Sequence, residues 1–352
     1  MEVRSTKSAT LQEVASQAGV STATVARVLK GRGYVSAEAR VRVETALKST
    51  GYRPNAMARG LRTQRSDTIG HMLTAITVNP FFVNVARGVE EAAFERGYKT
   101  FLFNHNGRAE RERLGVERFI ERRVDAVLFT TAVEPENLRL LAAAGIPAIQ
   151  VERAASADFP LARVDNAVGA REALRHLTGL GHRRIAFVGG DPDRVARRDP
   201  LYRVVEDERI AAYREGLEAA GISFDPALVR LGRYYDLADG SGSEGYRHMQ
   251  ALLALPDRPT AIFATCDILA AGVLQAVYDA GLRIPHDISV IGFDDTLAVN
   301  LTPPLTTVAQ PMAALGRAGF ALALAAIEGG PTADPPPLET RLVMRRSTGP
   351  AP

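Results

Sequence analysis

The sequence has few of the residues and runs on which several protein classes depend. Cys266 is its single cysteine, so no internal disulfide can form, and its six histidines lack the spacing of a structural zinc site. No apolar run approaches the roughly 18 residues that a membrane-spanning helix needs. The opening residues MEVRSTKSATLQEVA also lack the apolar core of a secretory signal. We therefore expect a cytoplasmic protein without a metal site, a cofactor or a membrane association.

Length and charge point to more than one domain. The chain has 352 residues, and at roughly 150 residues per domain it should form two or three units. Residues 1–65 carry twelve Lys or Arg against four Asp or Glu, a net charge of +8, so a total of +3 leaves −5 for the rest. A basic segment suits a polyanion, because each neutralised phosphate releases counterions. A solvated basic tail would have the same composition, so the pattern inside the segment must decide.

Three short helices are predicted in this basic segment. Thr10 can cap a first helix, with Glu13 completing a capping box and Gly19 providing the turn. Ser21 can cap a second helix, and Ser36 a third that ends at Gly51. Their predicted apolar positions are Leu11, Val14, Ala15, Ala18, Val25, Val28, Leu29, Val41, Val43, Ala46 and Leu47. This order, a helix, a tight turn and a second helix, is that of a helix-turn-helix motif.

In that geometry the N-terminal part of the second helix enters the major groove. Thr22, Ala23 and Arg27 would face the bases, and Ser21 and Thr24 would reach phosphates. Arg27 is the predicted base reader, because arginine can donate two parallel bonds to guanine. The alternative is a small bundle that does not bind DNA, but small exposed residues followed by basic ones favour DNA.

The next segment, YRPNAMARGLRTQRS, is a poor autonomous helix because it is short and contains Gly60. We expect it to fold with a partner copy or on DNA, where an exposed Leu61 could wedge into a minor groove. An ordinary linker is the alternative.

The stretches TLQEVASQAGVSTATVARVLKG and VSAEARVRVETALKSTGYRPNAMARGLRT resemble the head of the lactose-repressor (LacI/GalR) family. The resemblance implies a head at 8–53, a hinge helix and linker at 54–67 and a body at 68–346. It also implies a homodimer on double-stranded operator DNA, with Leu61 inserted at the operator centre. The DNA-binding candidates are Thr10, Ser21, Thr22, Ala23, Thr24, Arg27, Asn55, Ala58, Arg59 and Leu61.

From Thr68 onward, short apolar strands such as AVLFT alternate with amphipathic helices. This alternation predicts an α/β fold of parallel sheets with helices on both faces. One sheet of this length would be unusual, so two lobes with a cleft between them fit better. The family body resembles periplasmic sugar-binding proteins, which implies that the chain crosses between lobes near residues 165, 308 and 338.

Polar residues at strand ends are the candidate ligand contacts. A carboxylate such as Asp294 can accept bonds from two adjacent hydroxyls of a sugar, although a helix cap or a salt bridge is the ordinary alternative. By resemblance, Asp294 and Arg209 match effector-binding residues of the family, and Phe82 matches an aromatic position that packs on the ligand. The effector-binding candidates are Thr74, Phe82, Glu152, Arg209, Cys266 and Asp294. Cys266 stands where many sugar-responsive members have asparagine, which removes one amide from the expected site.

The class of effector stays open at this point. A sugar or sugar derivative is the first expectation. The loop DPDRVARRDPLYRVVEDER, with Arg194, Arg197, Arg198 and Arg203, makes a phosphorylated or acidic sugar the second candidate. A solvated loop is the alternative, and it explains any one of these arginines slightly better. A purine is a third option.

Other functions fit the sequence less well. An enzyme is not indicated, because the chain has neither a phosphate-binding P-loop nor a G-x-S-x-G elbow, and the GFDD carboxylates lack metal-ligand spacing. A transport-binding protein would need export, and a ligand sensor alone would leave the basic head unexplained. We predict an allosteric repressor. With no leucine heptad after Arg346, we expect a dimer and not a tetramer.

Overall fold

The structure, a computed structural model, describes residues 9–31, 33–52, 65–76, 79–191, 205–234 and 243–352. The chain divides into two compact units, Met1–Ser66 and Asp67–Pro352. Within the described residues no helix combines the length and the apolar character that crossing a membrane requires.

The described residues of the N-terminal unit form three helices, α1 (Leu11–Ala18), α2 (Thr22–Lys30) and α3 (Ala37–Thr50). The capping box at Thr10 is confirmed, since its side chain accepts from the Glu13 amide and the Glu13 carboxylate accepts from the Thr10 amide. The predicted caps Ser21 and Ser36 are confirmed as well. Gly19 ends α1 in the left-handed conformation, with a φ of 64°, which turns the chain sharply into α2.

The core of this unit consists of Val14, Ala15, Ala18, Val25, Val43 and Ala46. Two of the predicted core positions are wrong. Val41 is 61% exposed, because a residue two positions from Val43 lies about 200° away around the helix. Leu29, near the C-terminal end of α2, is also exposed.

The C-terminal unit begins with a lobe built on a five-stranded parallel sheet in the order β2-β1-β3-β4-β5, which we call the first lobe. Its elements are β1 (Thr68–Leu73), α4 (Pro80–Glu95), β2 (Lys99–Asn104), α5 (Ala109–Glu121), β3 (Ala126–Thr130), α6 (Pro135–Ala143), β4 (Ala148–Val151) and β5 (Leu161–Ala162). Strand β3 is buried along its whole length, as its continuous apolar sequence predicts.

A second lobe is built on a six-stranded sheet. Its elements are α7 (Asn166–Gly179), β7 (Ile185–Gly190), α8 (Val205–Ala219), β8 (Val229–Gly232), α9 (Gly245–Leu253), β9 (Ala261–Ala264), α10 (Asp267–Asp279), β10 (Ser289–Asp294), β11 (Thr306–Ala309) and β13 (Arg341–Val343). The strands lie in the order β13-β11-β10-β9-β7-β8. The edge strand β13 runs antiparallel to β11, and the other pairs are parallel.

Three segments connect the lobes. Strand β6 (Val164–Asp165) leads from the first lobe into the second and pairs with β12 (Leu338–Glu339), which brings the chain back to β13. Between them Gln310 follows β11 and precedes α11 (Met312–Glu328), which packs in the core of the first lobe. The C-terminal helix therefore completes the N-terminal lobe of this unit.

Helix α11 approaches α4 closely because both helices carry glycine at the contact. A Cβ atom added at Gly88 would overlap the backbone of Ala313, and one added at Gly316 would overlap the backbone of Val85. The first lobe is thus built around α11 and cannot be assembled from residues 68–163 alone.

Candidate functional site

The N-terminal part of α2 presents the residues that sequence analysis assigned to DNA. Ser21, Thr22, Ala23 and Arg27 are exposed, and Thr24 is half-buried. The Ser21 hydroxyl accepts from the Thr24 amide and lies 3.0 Å from the Thr24 hydroxyl. The first turn of α2 is therefore capped by Ser21, and its side chains are accessible to DNA. The hinge candidates Asn55, Ala58, Arg59 and Leu61 lie outside the described residues.

The second candidate site is a pocket between the two lobes, of about 340 Å³ including the part open to solvent. It is lined by Asn79, Phe81, Phe82, Glu152, Arg153, Arg209, Tyr234, Cys266 and Asp294. Five of the six predicted effector contacts are brought together here. The sixth, Thr74, is not among the lining residues, and its hydroxyl donates to the carbonyl of Thr131 at 3.2 Å.

Arg209, on α8, is buried and held from three sides. Its Nε and Nη2 donate to Oδ1 of Asn166 at 3.1 and 2.9 Å, and Nη1 donates to the carbonyl of Thr265 at 2.7 Å. The guanidinium carbon lies 3.9 Å from the centre of the Phe293 ring, which favours a cation. Asn166 is the first residue of α7 and directly follows β6, so Arg209 is bonded at the end of a segment that connects the lobes.

Asp294 ends β10 in a backbone conformation that a non-glycine residue seldom adopts, with a φ of 110°. Its Oδ1 accepts from the side-chain amide of Gln310 at 2.6 Å, so it is bonded to a second connecting segment. Strained residues of this kind concentrate where a ligand is bound. Burial raises the pKa of Asp294 to about 8, against the opposing effect of Arg209. The carboxyl group of Asp294 is therefore largely protonated at neutral pH.

Glu152 and Arg153 follow β4 and face the second lobe. The Glu152 carboxylate accepts from the Thr131 hydroxyl at 3.0 Å and lies 3.5 Å from Nε of Arg153. Arg153 also pairs through Nη1 with Glu206 on α8. Burial is the largest single effect and favours the neutral form of Glu206, but the charge and the hydrogen bond of Arg153, together with the charge of Arg209, outweigh it and hold the pKa of this carboxyl below its usual value.

Two aromatic rings form the apolar part of the pocket. Asn79 caps α4 by accepting from the Phe81 amide at 2.9 Å, and this cap sets the direction in which the helix leaves the pocket. Phe81 and Phe82 pack edge to face, with ring centres 5.5 Å apart. Such a surface can cover the apolar face of a sugar ring or of a nucleobase.

Cys266 is buried and caps α10, with its Sγ accepting from the Leu269 amide at 3.4 Å. Burial raises the pKa of this thiol well above its usual value, so it stays neutral. Both carboxylate oxygens of its neighbour Asp267 accept hydrogen bonds within the second lobe, from the Thr307 hydroxyl at 2.7 Å and from the Thr296 and Leu297 amides.

Several pocket residues were missed by the sequence analysis. They are Asn79, Phe81, Arg153 and Tyr234 in the lining, and Asn166, Glu206 and Gln310 behind it. The position of Arg153, directly after a predicted ligand at a strand end, was the available signal. Among the described residues, no three His, Cys, Asp or Glu side chains are grouped so that they could hold a metal.

The raised pKa of Asp294 predicts a pH-dependent effect on stability. The pKa of the carboxyl is near its ordinary value of 3.8 in the unfolded chain and about 8 in the folded one, so folding disfavours ionisation and the wild type loses stability as pH rises between these values. Asp294→Asn is expected to remove this loss. Its melting temperature should exceed that of the wild type by more at pH 8 than at pH 5, measured by calorimetry without ligand.

The exposed Asp287 provides a control of opposite sign. Its bonds from Arg283 lower the pKa of Asp287 to about 2, so its contribution to stability is complete above the unfolded pKa and is lost as pH falls toward 2. Asp287→Asn should therefore never raise the melting temperature. Equal pH profiles for Asp294→Asn and the wild type would contradict a buried, neutral Asp294.

Both the N-terminal unit and the two-lobed body match known protein families. Residues 10–55 match the family described as bacterial regulatory proteins, lacI family, and residues 174–348 match the periplasmic binding protein-like domain. The ribose operon repressor of Shigella flexneri is 36% identical over 312 residues, 88% of this chain and 90% of that protein. The HTH-type transcriptional repressor PurR of Escherichia coli (strain SMS-3-5 / SECEC) is 34% identical over 351 residues, 98% of each.

Among solved structures, that of the Lac repressor dimer bound to operator and the anti-inducer ONPF matches with a TM-score of 0.82 and 27% identity. The match covers 97% of this chain and 100% of that one. A helix-turn-helix unit followed by a two-lobed periplasmic-binding-protein-like body defines a class of bacterial transcription regulators. The chain belongs to the LacI family of these regulators, as its relatives at 36% and 34% identity show.

Proposed function

We propose that the chain is a repressor that binds a pseudo-palindromic operator as a homodimer and releases or strengthens that binding when a small sugar occupies the interlobe pocket. The names of the ribose operon repressor and of the operator-bound Lac repressor dimer support the DNA and sugar parts of this proposal. Operator DNA lies in the bacterial cytoplasm, so the proposed function places the chain there.

One observation carries the allosteric part of the proposal. Two polar side chains that line the pocket, Arg209 and Asp294, are bonded to residues at the connections between the lobes: Asn166 directly follows the connecting strand β6, and Gln310 lies between β11 and α11. A ligand that reorients either side chain changes the bonding of a connecting segment. Ligand binding can therefore favour one lobe arrangement, and the coupling to DNA equals its difference in affinity for the two arrangements.

The charges of the pocket favour a neutral ligand. Arg153 is paired with both Glu152 and Glu206, and Arg209 donates to Asn166 and Thr265. An anionic sugar would have to compete with the Glu152 and Glu206 carboxylates for Arg153. The last five residues of the arginine-rich segment that suggested such an effector form the start of α8, and its Arg194, Arg197, Arg198 and Arg203 lie outside the described residues. A purine is the second candidate, supported by the aromatic surface of Phe81 and Phe82 and by the resemblance to PurR.

The test begins with DNA selected by the purified protein from a random duplex library. Fluorescence anisotropy then measures the affinity for that duplex with ribose, ribose phosphate or a purine base present. We expect ribose to change the affinity by about 5- to 150-fold, the usual range of allosteric coupling, and ribose phosphate to act weakly. Failure to select any duplex would remove the DNA-binding part, and a response to the purine base alone would replace the sugar.

Arg27→Ala should relax base preference at one position of each half-site, by about 1–3 kcal/mol, because a bidentate contact to guanine would be lost. Repeating the selection with this variant measures the change. Arg42→Ala, which removes the same charge from an exposed position of α3, should keep the base preference. An unchanged preference in Arg27→Ala would remove Arg27 as a base reader.

A further inference from the structure

The ion pair between Arg153 and Glu206 joins the two lobes at a distance from the three connecting segments. Arg153 belongs to the first lobe, where it follows β4, and Glu206 belongs to the second lobe, in the first turn of α8. Nη1 of Arg153 pairs with Oε2 of Glu206, and the other carboxylate oxygen accepts from the Tyr234 hydroxyl at 2.9 Å. Both Arg153 and Tyr234 line the pocket, so the contact is part of its enclosure.

This pair requires the two lobes to be close together, because its partners lie on different lobes. The side chain of Arg153 is 13% exposed and that of Glu206 is 2% exposed. Separating the lobes would break the pair and return both charged groups to water. Because hydration of the separated charges offsets most of the lost attraction, such a pair stabilises closure reversibly and does not lock it.

Tyr234 orients the Glu206 carboxylate by donating a hydrogen bond to it. Its ring occupies the space beside Gly190 at the end of β7, where a Cβ atom would lie 2.7 Å from ring atoms. A side chain at Gly190 would displace the ring, so the glycine allows Tyr234 to reach Glu206. The carboxylate is thus held in place by its own lobe and presented to the arginine of the other.

We propose that Arg153, Glu206 and Tyr234 form an interlobe latch that holds the cleft closed before any effector binds. Its regulatory meaning rests on the proposed function: the ligand-free protein already populates the closed arrangement, and an effector acts by contacting Arg153 or by displacing it from Glu206. The latch itself is a property of the body and can be tested without DNA or ligand.

The single cysteine provides the measurement. Cys266 lines the same pocket and is 2% exposed, so its alkylation by iodoacetamide requires the cleft to open. Arg153→Met, Glu206→Gln and the double variant are compared with the wild type in the full-length protein. We expect each single variant to react about tenfold faster or more, the effect of losing about 1.4 kcal/mol of closure. The double variant should add little, because both changes break one contact.

Two controls separate cleft opening from unfolding. Arg184→Met removes an arginine that pairs with Asp257 and Asp225 inside the second lobe, and should leave the alkylation rate unchanged. Urea is added at low concentration to each variant, because a rate set by global unfolding rises with the full urea dependence of unfolding, whereas cleft opening exposes less surface.

The latch is overturned if the rates of Arg153→Met and Glu206→Gln equal that of the wild type, or if their increase follows global unfolding. These outcomes leave the proposed function untouched, since ribose could still change operator affinity. Faster alkylation together with no response of DNA binding to any tested ligand would support the latch and remove the effector part of the proposed function instead.

Discussion

Asp294→Ala is expected to leave operator affinity unchanged and to abolish the change in that affinity produced by effector. The side chain lies at the floor of the interlobe pocket, 3% exposed, and its bond from Gln310 ties it to a connecting segment. Alanine removes both the ligand contact and this connection. Ribose affinity should fall by about 10- to 100-fold, as expected for a lost hydrogen bond to a charged or strongly polar group.

The control for this prediction is the next residue in the chain. Asp295 also carries a carboxylate at the end of β10, but it pairs with Arg345 at 2.7 Å and does not line the pocket. Asp295→Ala should keep the effector response. The two variants are compared by anisotropy titrations on the same duplex, with and without ribose. A full response in Asp294→Ala would move the effector site away from this pocket.

Arg209→Lys is expected to lose most of the effector affinity and to unfold more readily. The planar guanidinium satisfies Asn166 and the Thr265 carbonyl at once while it stacks on Phe293. A lysine ammonium retains the charge but cannot keep that geometry. The free energy of unfolding should fall by about 2–3 kcal/mol, the usual loss for buried bonds to a charged group.

Arg214→Lys serves as the matched control for this change. Arg214 lies on the same helix, α8, and its guanidinium also sits over an aromatic ring, Phe224, at 4.6 Å, but it is exposed. Urea unfolding and ribose titration of both variants should separate them clearly. If Arg209→Lys matched its control in both measurements, the fixed guanidinium geometry would not matter to the site.

Local patterns in the sequence predicted local structure well. The structure confirms the predicted helix caps Thr10, Ser21 and Ser36. A cap can be predicted from sequence because its side chain bonds to an amide only three residues further along the chain. The parallel α/β body also followed from alternating strands and helices. The prediction that Val41 is buried was wrong, because residues two positions apart lie on nearly opposite sides of a helix and Val43 takes the buried side.

The residues of the pocket could be predicted from the sequence only in part. Strand ends identified Glu152 and Asp294, since parallel strands place their carboxyl ends at one edge. The pairing of Arg153 with Glu206 joins residues 53 positions apart in sequence and in different lobes. Charged residues are common on helices such as α8, so no local pattern distinguishes the one that will be buried.

The return of α11 to the first lobe has a consequence for synthesis of the chain. On the ribosome, β1 to β5 emerge well before α11, and until that helix arrives the apolar surface that it covers, including Leu128 and Val151, stays uncovered. The second lobe has nearly all its strands by then. Nascent chains should therefore acquire protease resistance late, and truncation before residue 312 should leave an aggregation-prone first lobe even though its whole sheet is present.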